Sequence, residues 1–229
     1  MEEAEKALKV AEESSDHSLI ALAVWTLSMA YTWKGDLDRA VEYGELALQK
    51  APTPADKSWA QRGLGWALCL TGDIERGIEL LTTALKTFRA QRWMPGLIPT
   101  TCTLGGSYWL AGEDDKATQM LEEAMEIAAR CGARYYAGFA QRLLGEIALK
   151  TNQGQVTSHL DKSIAIFREI RAENELALAY ASYGRFYKQQ GDMAQAREYL
   201  TRALEVFERL GTLNEPEKVR EELDELPEY

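Results

Sequence analysis

Apolar residues along this chain recur at spacings of three and four rather than two, which predicts helices from end to end. The pattern also returns on a longer scale. A small residue stands at Ser28, Gly65, Gly105, Gly145 and Gly184. Each is preceded by a bulky apolar residue (Leu27, Leu64, Leu104, Leu144, Tyr183) and followed three positions later by Tyr31, Leu68, Tyr108, Ala148 and Tyr187. A turn pair then interrupts the apolar pattern at Gly35-Asp36, Gly72-Asp73, Gly112-Glu113 and Gly191-Asp192. Glycine closes a helix cheaply in the left-handed conformation, and the acid is placed to cap the next helix. Self-similarity with a period of about 40 residues is the mark of a solenoid of helix pairs.

The second helix of each pair carries its own columns. Short residues fall at Ala40, Gly77, Ala117 and Ala196; Leu81, Leu121, Leu160 and Leu200 follow; Ala47, Ala84, Ala124, Ser163 and Ala203 close the set. Small residues let helix axes approach, and large ones fill the gaps between neighbouring pairs. One pair cannot bury these faces alone, so the pairs must stack.

This pattern of bulky, small and aromatic residues, a Gly-Asp turn, then Ala, Leu and Ala resembles the tetratricopeptide repeat (TPR), with Ala47 before Pro52 matching that family's stop between repeats. The resemblance covers nearly the whole chain. It implies an all-α, right-handed superhelix of about five helix pairs with an extra helix at each end. The implied divisions are a leading helix of a truncated repeat or cap (1–16), five repeats (17–52, 53–92, 93–131, 132–171 and 172–211) and a C-terminal capping helix (212–229). The stretches Gln141–Glu146 and Tyr183–Asp192 look like the C-terminal repeat arrays of large bacterial signalling proteins, which join an ATPase to a nucleotide cyclase or a DNA-binding domain. These are packing motifs and carry no catalytic residues across.

Three places depart from the pattern. In repeat four the turn is Lys150–Gly154 and Val156 replaces the short residue, which predicts a register shift of one or two residues. Between Trp93 and Pro99 helical continuity is broken; Pro99 is expected to open the next helix and the array to bend there. Residues 2–14 look like the second helix of a repeat whose first helix is lacking, which makes the chain a segment of a longer protein or gives it a lone leading cap. Val219–Leu226 reads as a polar cap after Pro216.

Composition narrows the function. The 229 residues carry a formal net charge of −10, which argues against sequence-independent nucleic-acid binding. No apolar run has the roughly 18 residues of a membrane helix, and the acidic N-terminus is unlike a signal peptide, so the expected location is the cytoplasm. Cys69, Cys102 and Cys131 lack metal-ligand spacing and read as buried, reduced thiols; His17 and His159 stand alone. No phosphate loop, dinucleotide loop, nucleophile elbow or zinc motif occurs, so neither an enzyme nor a cofactor is expected.

The candidate site lies on the first helices. Opposite their packed columns, helical spacing places Trp25 and Met29; Trp59, Arg62 and Trp66; Cys102, Gly106 and Trp109; Arg142 and Glu146; and Arg185 and Lys188. One reading makes Trp25, Trp59 and Trp66 an exposed aromatic floor of a concave groove, with Arg62 and Arg142 reading acidic groups; Trp and Arg are the residues most enriched at binding hot spots. The other has the tryptophans filling gaps between helices, and Glu146 pairing with Arg142. The Lys and Asn pair that resembling proteins use to grip a terminal carboxylate is replaced by Arg62 with Trp66 and Arg142 with Glu146. The expected function is binding of a protein or peptide, or of another domain of the parent chain. Small-molecule sensing and self-association are the alternatives, and the oligomeric state is open.

Overall fold

A computed structural model describes residues 2–227, with the side chain of Glu2 outside the described set. Among the described residues there are twelve α-helices and no strand: α1 (Glu2–Ser14), α2 (His17–Lys34), α3 (Leu37–Lys50), α4 (Pro54–Thr71), α5 (Ile74–Ala90), α6 (Met94–Leu110), α7 (Asp114–Cys131), α8 (Arg134–Thr151), α9 (Val156–Glu169), α10 (Glu173–Gln190), α11 (Met193–Leu210) and α12 (Glu215–Asp224). The chain divides into two compact units, 1–120 and 121–229, at a point within α7.

Local chemistry sets the helix ends. Gly35, Gly72 and Gly191 close α2, α4 and α10 at φ of 83°, 100° and 80°, each with its N–H turned back to the last turn. The Asp36 and Asp192 carboxylates accept from the N–H of Arg39 and Gln195, as expected of N-caps. Asp73 does not: its side chain makes no capping bond. Thr53 and Asp56 instead form a reciprocal capping box at α4. Pro99 does not open α6. The helix starts at Met94 with Pro95 in its first turn, and it runs through Pro99. Residues 153–155 make a 3-10 turn before α9, and Leu160 meets Gly145 as Leu81 meets Gly65 and Leu200 meets Gly184. Leu160 lies one residue closer to its glycine in sequence, which is the register shift expected.

In unit 1 the Ser28 hydroxyl donates to the Ala40 carbonyl, fixing α2 on α3. A side chain at Gly65 would strike the Gly77 carbonyl and Leu81, so α4 and α5 cross with backbones nearly touching. Leu27, Leu64, Leu81 and Phe88 are fully buried. In unit 2 a continuous core runs from Ala148 and Val156 through Leu160, Leu200 and Phe207 to Val219 and Leu226. Its last two members belong to α12 and the residues after it, so the polar cap is anchored by two apolar side chains. One thiol differs from expectation: Cys69 and Cys102 are buried, but Cys131, in the last turn of α7, is exposed.

Candidate functional site

Counting from the small residue of each first helix, the third residue before it and the first after it define two columns: Trp25 and Met29, Arg62 and Trp66, Arg142 and Glu146, Ala181 and Arg185. Trp25 and Met29 face α4, and Arg142 and Glu146 face α10, while Arg62 turns back to Trp25 and Arg185 to Glu146. They form a seam rather than an open floor.

In unit 1 the Trp25 ring lies 5.0 Å from the Trp59 ring, and the Arg62 guanidinium stands 5.2 Å from each. Trp25 covers Gly63 so closely that a Cβ there would come within 2.8 Å of its ring. The Trp25 Nε1–H is buried with no hydrogen-bond acceptor. Trp59 continues the cluster to Phe88 at 5.4 Å and to Trp93 at 5.3 Å. Arg62 is only 4% exposed, and Met29 is buried. A guanidinium desolvated over indole faces gains about 2 kcal/mol or more. The expected exposed floor of Trp25 and Trp59 is therefore corrected: both are half-buried, packed on each other, on Arg62 and Gly63 of α4, on Phe88 of α5 and on Trp93 just before α6. Cys102 and Gly106 are likewise buried, while Trp66 and Trp109 are half-buried on α4 and α6. Burial pushes the Cys102 thiol well up, partly offset by Arg62.

In unit 2 the same columns carry charge. Arg142 Nε donates to Glu175 at 3.2 Å, and the Tyr135 hydroxyl donates to the other carboxylate oxygen at 3.1 Å. Glu146 accepts from the Ser182 hydroxyl and, at 3.2 Å, from Arg185. Arg185 also grips Glu222 at 2.8 Å, and Lys188 meets Glu225 at 2.6 Å. Burial alone would lower the Arg185 pKa, but Glu146 and Glu222 outweigh it and hold it above its ordinary value. Arg142 and Glu146 thus pair not with each other but each with a group from α10. A partner's acidic group would find Arg142 already engaged and buried.

Sequence reasoning missed Glu175, Glu222 and Glu225 as the acceptors, and Trp93 as a member of the aromatic cluster. It also missed an exposed apolar stripe on α2: Leu19 and Leu22 at 48% and Trp33 at 54%. The signal for that stripe was available, since its positions repeat in every first helix. Unit 2 also has an open cavity of about 410 Å³ lined by Met125, Ala129, Ala137, Gln141, Lys162, Ala165 and Ile166. Gln141 is engaged beside it, accepting from His159 Nδ1 at 2.7 Å and donating to the Met125 sulfur at 3.3 Å. Among the described residues no cluster of three or more His, Cys, Asp or Glu could hold a metal ion, and no helix is long and apolar enough to cross a membrane.

These packed, consecutive helix pairs define a helical-repeat protein of the TPR-like solenoid class. Residues 177–209 match the tetratricopeptide repeat family model. Several solved structures share the fold. A Rap protein in complex with the Competence and Sporulation Factor has a TM-score of 0.75 at 14% identity, covering 94% of this chain and 67% of that one. BtubC from P. vanneervenii has a TM-score of 0.66 at 16% identity, covering 93% and 91%. TTC0263, a thermophilic TPR protein of Thermus thermophilus, has a TM-score of 0.62 at 16% identity, covering 89% and 97%. No curated protein matches the sequence.

Proposed function

We propose that this protein is an interaction module that holds a peptide, helix or partner domain against the first helices of unit 1. The observation that carries this reading is the contrast between the two units. In unit 2 the charged columns of α8 and α10 are engaged by Glu175, Ser182, Glu222 and Glu225. In unit 1 the tryptophans keep ring surface accessible: Trp66 and Trp109 are half-buried, and Trp33 and Trp93 are exposed. Aromatic edges on a rigid helical scaffold give affinity at low entropic cost. A solved neighbour of the same fold holds the Competence and Sporulation Factor, which supports a capturing role. The captured segment belongs to a partner protein or to another domain of a larger signalling polypeptide, and no reaction is carried out here.

The test is selection of displayed peptides on the immobilised chain, followed by calorimetry. Apolar-faced peptides are expected with micromolar dissociation constants, about −8 kcal/mol. Trp66→Ala and Trp109→Ala should each weaken them about tenfold, or about 1.4 kcal/mol. No enrichment, or affinity indifferent to both changes, overturns the reading. A second reading, small-molecule sensing, is favoured by the open cavity beside Gln141 and Lys162 in unit 2. A metabolite that raises the melting temperature of the wild type but not of Lys162→Ala would support it.

A further inference from the structure

The back of every first helix carries a second stripe, at the ninth, sixth and second positions before the small residue. In α4 these are Asp56, Trp59 and Gly63; in α6, Gly96, Pro99 and Thr103; in α8, Tyr136, Phe139 and Leu143; in α10, Glu175, Leu178 and Ser182. All twelve are buried or half-buried. On α4 and α10 the stripe meets the preceding first helix, whereas Gly96 of α6 lies against Phe88 of α5. Gly63 sits under Trp25 and beside Met29; Glu175 and Ser182 meet Arg142 and Glu146. In α2 the same positions are Leu19, Leu22 and Thr26, and all three are exposed. Trp33 extends the stripe at the other end of the helix. At the far end of the array, α12 occupies the position ahead of α10, covering Arg185 and Lys188. Among the described residues nothing does the same for the back of α2, because α1 packs as a second helix does, through Ala4 and Leu8 onto the cores around Leu27 and Val24.

We infer that the Leu19, Leu22 and Trp33 stripe is a docking site for one amphipathic α-helix, laid in the place a preceding first helix would hold. This deepens the interaction-module reading and rests on it. The geometry comes from the interface next along the chain. There Ser18 near the start of α2 bonds Asp56 near the start of α4 at 3.1 Å, and Trp25 meets Gly63 further along, so the two helices run parallel. The docked helix runs the same way. Where α4 has Gly63 under an indole, α2 has Thr26, so the incoming helix needs a small residue at that point. Leu19, Leu22 and Trp33 call for Leu-sized or Ala-sized neighbours at spacings of three and four.

The probe is a fluorescein-labelled synthetic helix of about 18 residues, about five turns, with Ala and Leu on one face and Glu and Lys on the other. Fluorescence anisotropy with the full chain should saturate with a dissociation constant near 10 µM (~ −7 kcal/mol). Leu22→Lys and Trp33→Lys, both at exposed positions and checked by circular dichroism, should each weaken binding tenfold or more, while Leu213→Lys, at an equally exposed position of unit 2, leaves it within twofold. No saturation by ~1 mM (~ −4 kcal/mol) overturns the inference. So does binding indifferent to Leu22→Lys. A wild-type dimer in sedimentation that Leu22→Lys dissolves also overturns it, because a second copy then covers the stripe. Display-selected peptides that still depend on Trp66 would leave the broader interaction reading standing in all three cases.

Discussion

Replacing Glu175 is the sharpest test of the seam in unit 2. The Arg142 and Glu175 side chains are 9% and 8% exposed, and their 3.2 Å contact is supported by the Tyr135 hydroxyl. Glu175→Leu leaves a guanidinium buried without its carboxylate and a hydroxyl without its acceptor. Breaking a buried pair from one side costs about 3–5 kcal/mol, mostly the penalty of the stranded charge. The combined variant Arg142→Met, Glu175→Leu, Tyr135→Phe removes every polar group together and keeps most of the volume. It should lie within about 1 kcal/mol of wild type, because desolvation of the pair offsets its Coulomb gain. Urea unfolding followed by far-UV circular dichroism measures both. With a slope of about 2 kcal/mol/M, the single change should lower the midpoint by about 1.5–2.5 M. All six tryptophans precede residue 110, so their fluorescence reports unit 1 and the shift belongs in the far-UV signal. A single variant that loses less than about 1 kcal/mol, or a combined variant as unstable as the single one, refutes the buried-charge account.

Three further outcomes follow from single sites. Gly65→Ala places a methyl 2.8 Å from the Gly77 carbonyl and 2.9 Å from Leu81, so thermal unfolding should show a loss of about 1–3 kcal/mol. Of the three thiols, Cys131 alone should react rapidly with a disulfide reagent, because Cys69 and Cys102 are buried and burial raises both their pKa values; three fast equivalents would contradict the packing of α4 and α6. Burial holds the His159 pKa below 6.5, with Lys162 adding to the effect and Glu122 opposing it. As pH falls below 6.5 the unfolded chain takes up this proton first, so the stability His159 contributes is complete above that pH and is lost as pH drops through the folded value. Proton NMR should place the ring below its ordinary range, and His159→Gln should flatten that part of the stability profile.

The helix pairs were legible because each rests on local chemistry. Gly35, Gly72 and Gly191 close helices wherever they fall, and the alternation of small and large columns fixes which faces pack. Val156 and the turn at Lys150–Gly154 announced the shifted register in the same way. The candidate site was legible only as a pair of columns. Helical spacing identifies the side of α4 turned away from α5. Whether that side meets water or the next first helix depends on how closely successive pairs approach, and that distance is set by residues such as Gly63, which lets the Trp25 ring lie against backbone. The acceptors were invisible for a related reason. Glu175 lies far along the chain from Arg142, and nothing in the spacing within α8 distinguishes a solvated arginine from one facing α10. Pro99 misled because a proline six residues into a helix reads as a start, when Pro95 already supplied one.

The two units solve one packing problem with different chemistry, and this bears on where a partner can act. At corresponding positions unit 1 uses indole rings around a guanidinium, and unit 2 uses a ladder of carboxylates and guanidinium groups. A buried ion pair adds little net stability against an apolar replacement, yet it strongly penalises any arrangement that separates the charges. The ladder therefore fixes the register of α8, α10 and α12 and leaves little polar capacity for a ligand. Indole surface away from Arg62 carries no such penalty, because one apolar contact can replace another at similar free energy. A partner that buries further indole surface in unit 1 gains without stranding a charge. The same partner in unit 2 must break an internal pair first. Affinity should accordingly respond to changes at Trp66, Trp109 and Leu22, and changes at Arg142 or Arg185 should be felt as lost stability instead.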